Sequence, residues 1–330
     1  MDLAGVGVTH HGAASLTLHA CLQQLRCLDL SDNPKPGAPG LAALLLAGPH
    51  ALVRLEALRL RNCGLGPEGA QTVGAAFAAG TLSGLTLLDL EGNGIGPDGM
   101  AALSKGWSAS AGTPPTAICA LFLGRNALGD CGAQHLGVAL RRRTLPCLET
   151  LSFPDNAVGA EGAAALWACI EAGAARGLTT LDAAQNHFGS EGARGLARCL
   201  EEGVLPCLAD LGLGDTDLGP QGLAHLAAAL QSTPAPRLRR LGLRNNGVGD
   251  GGLARLAAAI GALACRALEE LDLGGRNALG DGGAAALAGA IEVGGLEALR
   301  VLDVGGSGIG AEGLRCLAMA CRARAGPRDL

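Results

Sequence analysis

The stretch Leu85-Thr86-Leu87-Leu88-Asp89-Leu90-Glu91-Gly92-Asn93-Gly94-Ile95-Gly96 decides the fold. It reads L-x-x-L-x-L-x-x-N-x-I-G, and the same frame starts again at Leu25, Leu55, Ile118, Leu148, Leu178, Leu208, Leu238, Leu268 and Leu299. In chain order the ten starts lie 30, 30, 33, 30, 30, 30, 30, 30 and 31 residues apart. Recurrence at a nearly fixed period marks stacked copies of one small unit, each too short to bury its own apolar face.

Each place in the frame has a physical reason. Leucines at positions 4 and 6, such as Leu58 and Leu60, alternate inward along a short strand. The polar slot that follows holds Asn33, Cys63, Asn93, Asn126, Asn156, Asn186, Thr216, Asn246, Asn277 and Ser307. An amide there can bond backbone groups left open where the chain turns off the strand, and stacked copies form a ladder. An apolar residue and a Gly come next, as in Leu65-Gly66 and Leu218-Gly219. A second Gly lies six residues after the polar slot, from Gly69 to Gly313, and a helix is expected after it. Counted from that Gly, positions +1, +4 and +8 are apolar (Leu223, Leu226, Leu230), one face of an amphipathic helix. Asp98, Asp130, Glu161, Glu191 and Asp250 fall in the first helical turn, where the dipole favours negative charge, and Arg141 to Arg143 close another helix.

Composition agrees. Hydrophobic residues make up 48% of 330, yet aromatics supply 2% and Tyr is absent, so Leu and Ala do the packing around turns made by 54 Gly. A net charge of -5 lacks the clustered Lys and Arg that nucleic-acid binding needs, so no nucleic-acid partner is expected. No uninterrupted apolar run reaches the length of a spanning helix, and the start of the chain has no basic region of a signal peptide; no membrane association is expected. The 12 Cys form no C-x-x-C, and most replace Ala, Leu or Asn of other repeats, as Cys63 and Cys199 do. They read as small buried hydrophobes in a reducing, cytoplasmic setting.

The frame L-x-x-L-x-L-x-x-N/C-x-L-G, followed by x-x-G and an apolar helix, resembles the ribonuclease-inhibitor-like class of leucine-rich repeats over about Leu25 to Cys321. The resemblance implies an α/β horseshoe solenoid with a concave parallel sheet, convex helices and partner binding on the concave face. The division that follows is a partial N-terminal repeat at 1–24, ten repeats at 25–321 and a tail at 322–330. The class includes ribonuclease inhibitors, Ran GTPase-activating proteins and the sensor ends of NOD-like receptors. The chain departs from the first in having no Tyr and no Trp after Trp167, and from the second in a tail carrying Arg322, Arg324 and Arg328. The function expected is a non-catalytic protein-interaction scaffold or sensor segment. The alternatives are a GTPase-activating protein resembling the Ran type, or the repeat region of a larger NOD-like receptor-type protein.

The tempting motifs dissolve into the repeat. Four stretches match G-x-G-x-x-G, starting at Gly64, Gly94, Gly247 and Gly308, but sister repeats put Ala127, Ala157, His187, Asp217 or Ala278 at the first Gly. A phosphate cradle needs one special loop, not a variant of ten. The seven His are scattered, with His10-His11 the one local pair, and His135 and His225 share a helix slot. Trp107 and Trp167 lie in helical segments and read as packing. No catalytic residue, metal site, cofactor or small-molecule substrate is expected.

Partner binding is expected from frame positions 5, 7 and 8. There Asp29, Asp32, Asp89, Glu91, Asp155, Asp182, Asp215, Asp272 and Asp303 face Arg59, Arg61, Arg125 and Arg244, nine acids against four bases, which points to a protein partner with a basic surface. Phe122 is the one aromatic in these slots, and Gly212, Gly214, Gly242, Gly274 and Gly305 leave them short of large side chains. Two irregularities stand out: the Ser/Gly/Pro loop Ser108 to Pro115, and an extra residue in Leu273-Gly274-Gly275-Arg276-Asn277 that should push Arg276 outward.

Overall fold

The structure, a computed structural model, describes residues 1–9, 11, 12, 15, 20–34, 37–46, 52–109, 117–233, 235 and 237–325. Most of the Ser108 to Pro115 loop, His10 and the last five residues of the tail lie outside them. Contacts divide the chain into two compact units, an N-terminal unit of residues 1–158 with 172–178 and a C-terminal unit of residues 159–171 with 179 onward.

In the N-terminal unit five three-residue strands, β1 (Cys27–Asp29), β2 (Ala57–Arg59), β3 (Leu87–Asp89), β4 (Ala120–Phe122) and β5 (Thr150–Ser152), pair in parallel in chain order. Helices α1 (Gly37–Leu45), α2 (Gly66–Ala78), α3 (Gly96–Ala109) and α4 (Gly129–Arg141) alternate with them. The C-terminal unit starts with α5 (Ala160–Glu171). It then alternates β6 (Thr180–Asp182), α6 (Gly189–Glu201), β7 (Asp210–Gly212), α7 (Gly219–Ser232), β8 (Arg240–Gly242), α8 (Gly249–Gly261), β9 (Glu270–Asp272), α9 (Asp281–Glu292), β10 (Val301–Asp303) and α10 (Ala311–Ala325). Strands β6 to β10 are parallel and paired in order, and like frame positions always meet: Leu181 with Leu211, Leu211 with Leu241, Leu241 with Leu271.

The core lies where the frame puts it. One repeat buries Leu55, Leu58, Leu60, Leu65, Ala70, Val73 and Phe77, none more than 3% exposed, so its strand and its helix close over a common apolar layer. Emptying one such leucine costs about 2–5 kcal/mol through lost transfer energy and the cavity left behind. Each unit adds one edge-to-face aromatic pair: Phe77 with Trp107 at 6.3 Å, and Trp167 with Phe188 at 5.8 Å. The packing reading of both tryptophans holds, each being 1% exposed.

The helices begin three or four residues earlier than the apolar pattern suggests. Gly66, at φ +62°, turns the chain into α2, and the carbonyl of Leu65 accepts the N–H of Gly69 at 2.9 Å. The second glycine thus lies inside the first turn, where a Cβ on Gly69 would fall 2.5 Å from Leu65 Cβ. The first Gly of the G-x-G-x-x-G stretches is a matter of backbone conformation alone. Gly64 and Gly94 share the left-handed region with their counterparts Ala127, Ala157 and Ala278, which hold φ of 51–52° without a glycine.

The amide ladder forms as expected. Asn93 Nδ2 donates to Leu60 O (2.7 Å) and Leu90 O (2.9 Å), while its Oδ1 accepts from Cys63 N (2.9 Å) and Leu65 N (3.3 Å). Asn126 repeats the pattern one frame on, bonding Leu90 O, Leu123 O, Asn93 N and Ile95 N. In the C-terminal unit Thr216 takes one slot: its Oγ1 donates to Leu213 O at 2.7 Å, and its N–H goes to Asn246 Oδ1 at 3.1 Å. Every such amide is buried and saturated, the condition under which a buried polar group stabilises rather than costs.

The cysteines are mixed. Cys63, Cys199 and Cys265 are buried as expected, and burial pushes their thiols up to about 11, 12 and 12. Cys131, Cys147 and Cys321 are exposed, which corrects the reading for those three: they sit on outer helix or loop positions that no neighbouring repeat covers.

Candidate binding face

Frame position 4 points into the core, so positions 3 and 5 point the other way, onto the face of the sheet that no described helix covers. In the N-terminal unit position 3 is apolar on β2 to β4, with half-buried Ala57, Leu87 and Ala120 in register, and Thr150 follows on β5. Position 5 places Asp29, Arg59, Asp89 and Phe122 side by side on β1 to β4, all half-buried. Farther along, Arg61 and Arg125 both reach Glu91, at 3.0 and 3.9 Å. Arg59 Nη1 lies 3.2 Å from Cys27 Sγ, and Asp155 is exposed.

The recurring position-5 aspartate has a local task that the frame does not reveal. Asp29 accepts the N–H of Ser31 (2.9 Å), Asp89 that of Glu91 (3.0 Å), Asp272 that of Gly274 (2.8 Å) and Asp303 that of Gly305 (2.8 Å). Each carboxylate closes the turn that leaves its own strand. Asp182 makes a longer version to Ala184 N at 3.3 Å. Burial raises the Asp89 carboxyl above the usual range, against the lowering pull of the Glu91 N–H and then of Arg61 and Arg59.

The C-terminal unit furnishes the same positions differently. Position 3 is charged and alternates in sign from Asp210 to Arg240 to Glu270, a row that reading positions 5, 7 and 8 alone missed although strand alternation puts position 3 on the same face. Arg240 is 2.6 Å from Asp210, and Asp210 also accepts from Thr180 Oγ1 at 3.3 Å. Arg239 and Arg300 share Glu269 at 3.5 and 3.9 Å. Arg244 spans Asp303 (3.2 Å) and Asp272 (3.8 Å). Position 5, by contrast, is bare at Gly212 and Gly242, leaving a depression of about 320 Å³ over β6 to β9. At the strand exits His187 pairs with Asp217 at 2.9 Å beside Asp215 and Arg276. The extra residue of repeat nine puts Gly275 at φ +72°, ties Arg276 N to Asn245 Oδ1 (2.8 Å) and leaves the Arg276 side chain exposed.

Among the described residues no three His, Cys, Asp or Glu come together as a metal site, and no helix is long and apolar enough to cross a membrane. Among the described residues the face offers charge, backbone and one aromatic ring, Phe122.

Comparison with known proteins agrees with this architecture. Residues 55–74, 84–104, 144–166, 264–288 and 297–318 match the family described as Leucine Rich repeat. No curated protein matches the chain. Among solved structures, the leucine-rich-repeat-containing protein LegL7 from Legionella pneumophila aligns at 18% identity with a TM-score of 0.53, over 100% of this chain and 99% of that one. The complex of Rad7 and Elc1 in yeast aligns at 16% identity with a TM-score of 0.54, over 90% of this chain and 67% of the other. The fold is a leucine-rich-repeat solenoid, ten described strands in parallel alternating with helices. In its repeated sequence unit the chain is similar to leucine-rich-repeat proteins over the five stretches matched, and it shares their fold.

Proposed function

We propose that this protein is an interaction scaffold or sensor segment without catalytic chemistry of its own, binding a protein partner on the open face of its sheet. The observation that carries the reading is Phe122, an aromatic ring held half-buried on a strand, in register with Asp89, which is itself in register with Arg59. Aromatic and Arg side chains on a rigid floor are what hot spots are made of. The excess of acids along the face favours a partner with a basic surface. The ten-repeat division of residues 25–321, with a partial repeat before it, belongs to the same proposal. So does a cytosolic setting, which fits a chain whose described cysteines form no disulfide. Rad7 in its complex with Elc1 is a precedent for a protein partner on this fold.

Affinity capture with the purified chain tests the reading. Phe122→Ala, and separately Asp155→Lys with Asp215→Lys, should each cut recovery of the captured partner at least tenfold while the thermal transition stays within a few degrees. Undiminished recovery by both folded variants would overturn it. Stimulated GTP hydrolysis, lost on replacing one exposed Arg, would instead favour the GTPase-activating alternative.

A further inference from the structure

The two bare strands of the C-terminal unit need an explanation. Gly212 and Gly242 stand opposite each other in register, with Asp182 beside Gly212 on β6 and Asp272 beside Gly242 on β9. In the other unit the same column carries Asp, Arg, Asp, Phe and Ser. The fold does not ask for glycine at 242. Its φ is not among the left-handed ones, and a Cβ built on it would meet its nearest neighbour, Gly212 Cα, at 3.7 Å, an ordinary contact. A mid-strand glycine still costs stability relative to Ala. A strand glycine that packing does not require marks a place where another chain or a ligand comes close to the backbone.

The lining of the depression says what would come. Four carboxylates (Asp182, Asp210, Glu270, Asp272) and one guanidinium (Arg240) border it, a formal charge of -3. Asp210 holds Arg240 at 2.6 Å, so the one positive charge is already spoken for. The Glu270 carboxylate is exposed and makes no hydrogen bond or ion pair among the described residues. The floor between these acids includes Leu181, Leu211 and Leu241. An apolar floor under an acidic rim suits a side chain with a hydrocarbon stem and a cationic head. At about 320 Å³ the space is at the small end for a whole ligand molecule but sufficient for one long side chain and its backbone. The carboxylate rim suits the forked donors of a guanidinium best.

We infer that the depression floored by Gly212 and Gly242 and rimmed by Asp182, Glu270 and Asp272 receives the Arg or Lys side chain of an extended segment of a partner protein. This rests on the reading of the sheet face as a protein-binding surface, and it names one anchor on that surface.

A random peptide display library selected on the purified chain tests it. Enriched peptides should carry Arg or Lys at one fixed position, at least tenfold over the library. Glu270→Lys should abolish that enrichment, and Gly242→Val, which fills the floor, should do the same. If Gly242→Val does not fold, Gly242→Ala replaces it, since its Cβ meets nothing closer than an ordinary contact. Peptides with no basic preference, no selected peptides at all, or an unchanged basic preference in the folded Gly242 and Glu270 variants would each overturn the inference. Selected peptides that depend on Phe122 but not on Gly242 would overturn it while leaving the wider reading standing.

Discussion

The N-terminal and C-terminal units are written in the same frame, yet their open faces are furnished in opposite ways. The first presents apolar Ala57, Leu87 and Ala120 at position 3 and side chains at every position 5, Phe122 among them. The second presents charged Asp210, Arg240 and Glu270 at position 3 and bare backbone at two of its position-5 places, Gly212 and Gly242. The frame dictates only what points inward. Positions 3 and 5 are free to differ because a side chain there changes neither the leucine layer nor the ladder. The proposed binding face therefore carries two kinds of surface, an aromatic ring in one unit and an acid-rimmed depression in the other.

The largest test of the comparison concerns the ladder, which the two units share less fully than their sequences suggest. Asn126→Ala removes donors to Leu90 O and Leu123 O and the acceptor of Asn93 N and Ile95 N. With each orphaned buried group costing about 1–3 kcal/mol, denaturant unfolding should show a loss of about 3–5 kcal/mol. Thr216→Ala removes one bond within its own repeat, to Leu213 O, and one to Asn246 Oδ1, and should cost about 1–3 kcal/mol. Equal losses would mean that Thr bridges its neighbours as an amide does, against the geometry.

Alkaline stability sharpens the contrast at intermediate size. The C-terminal unit buries two thiols raised to about 12, the N-terminal unit one raised to about 11, against an ordinary 9.0. Below pH 9 these thiols are neutral in both folded and unfolded chains, so stability is flat. Above it the unfolded chain loses their protons first, and stability falls by about 1.4 kcal/mol per pH unit for each thiol until the folded value is reached. Urea midpoints at pH 8 to 10.5 should show this fall, and Cys199→Ala or Cys265→Ala should lessen its slope. A slope unchanged by both replacements would assign the fall to other groups.

The smallest effects separate scaffold from surface. Gly242→Ala should stabilise by about 0.5–1 kcal/mol in thermal melts, since its Cβ meets only ordinary contacts. Asp210→Asn, which breaks the partly exposed pair with Arg240, should cost less than about 1 kcal/mol. A large loss at either position would mean that the open face of this unit holds the fold together.

The fold was legible because inward positions recur with a period that nothing else in the chain imitates. The helix starts were not, because Pro67 and Glu68 of the first turn face solvent and the apolar pattern resumes only at Ala70. The face was legible in part. Positions 5, 7 and 8 led to Phe122, Arg59 and the Arg61–Glu91–Arg125 cluster, but the period-2 alternation that also exposes position 3 went unused, and with it Asp210, Arg240 and Glu270. The aspartate column read as surface charge. Its bond to the N–H two residues on depends on how sharply the chain leaves the strand, which spacing alone does not encode.

The asparagine ladder sets the grain in which this chain can change. The amide of Asn93 spends its oxygen on the turn of the repeat before it, and the N–H of Asn93 in turn depends on the amide of Asn126 after it. A repeat is thus finished by its successor, and the natural unit of gain or loss is a whole frame. Excising thirty residues lets the amide bonds re-form between new neighbours. Excising twenty-nine leaves a slot one residue out of step, which the turn must absorb as Gly275 does in repeat nine. Insertion or loss of an entire repeat leaves this lattice whole, and substitution weighs least on it along the face that the lattice leaves unspecified.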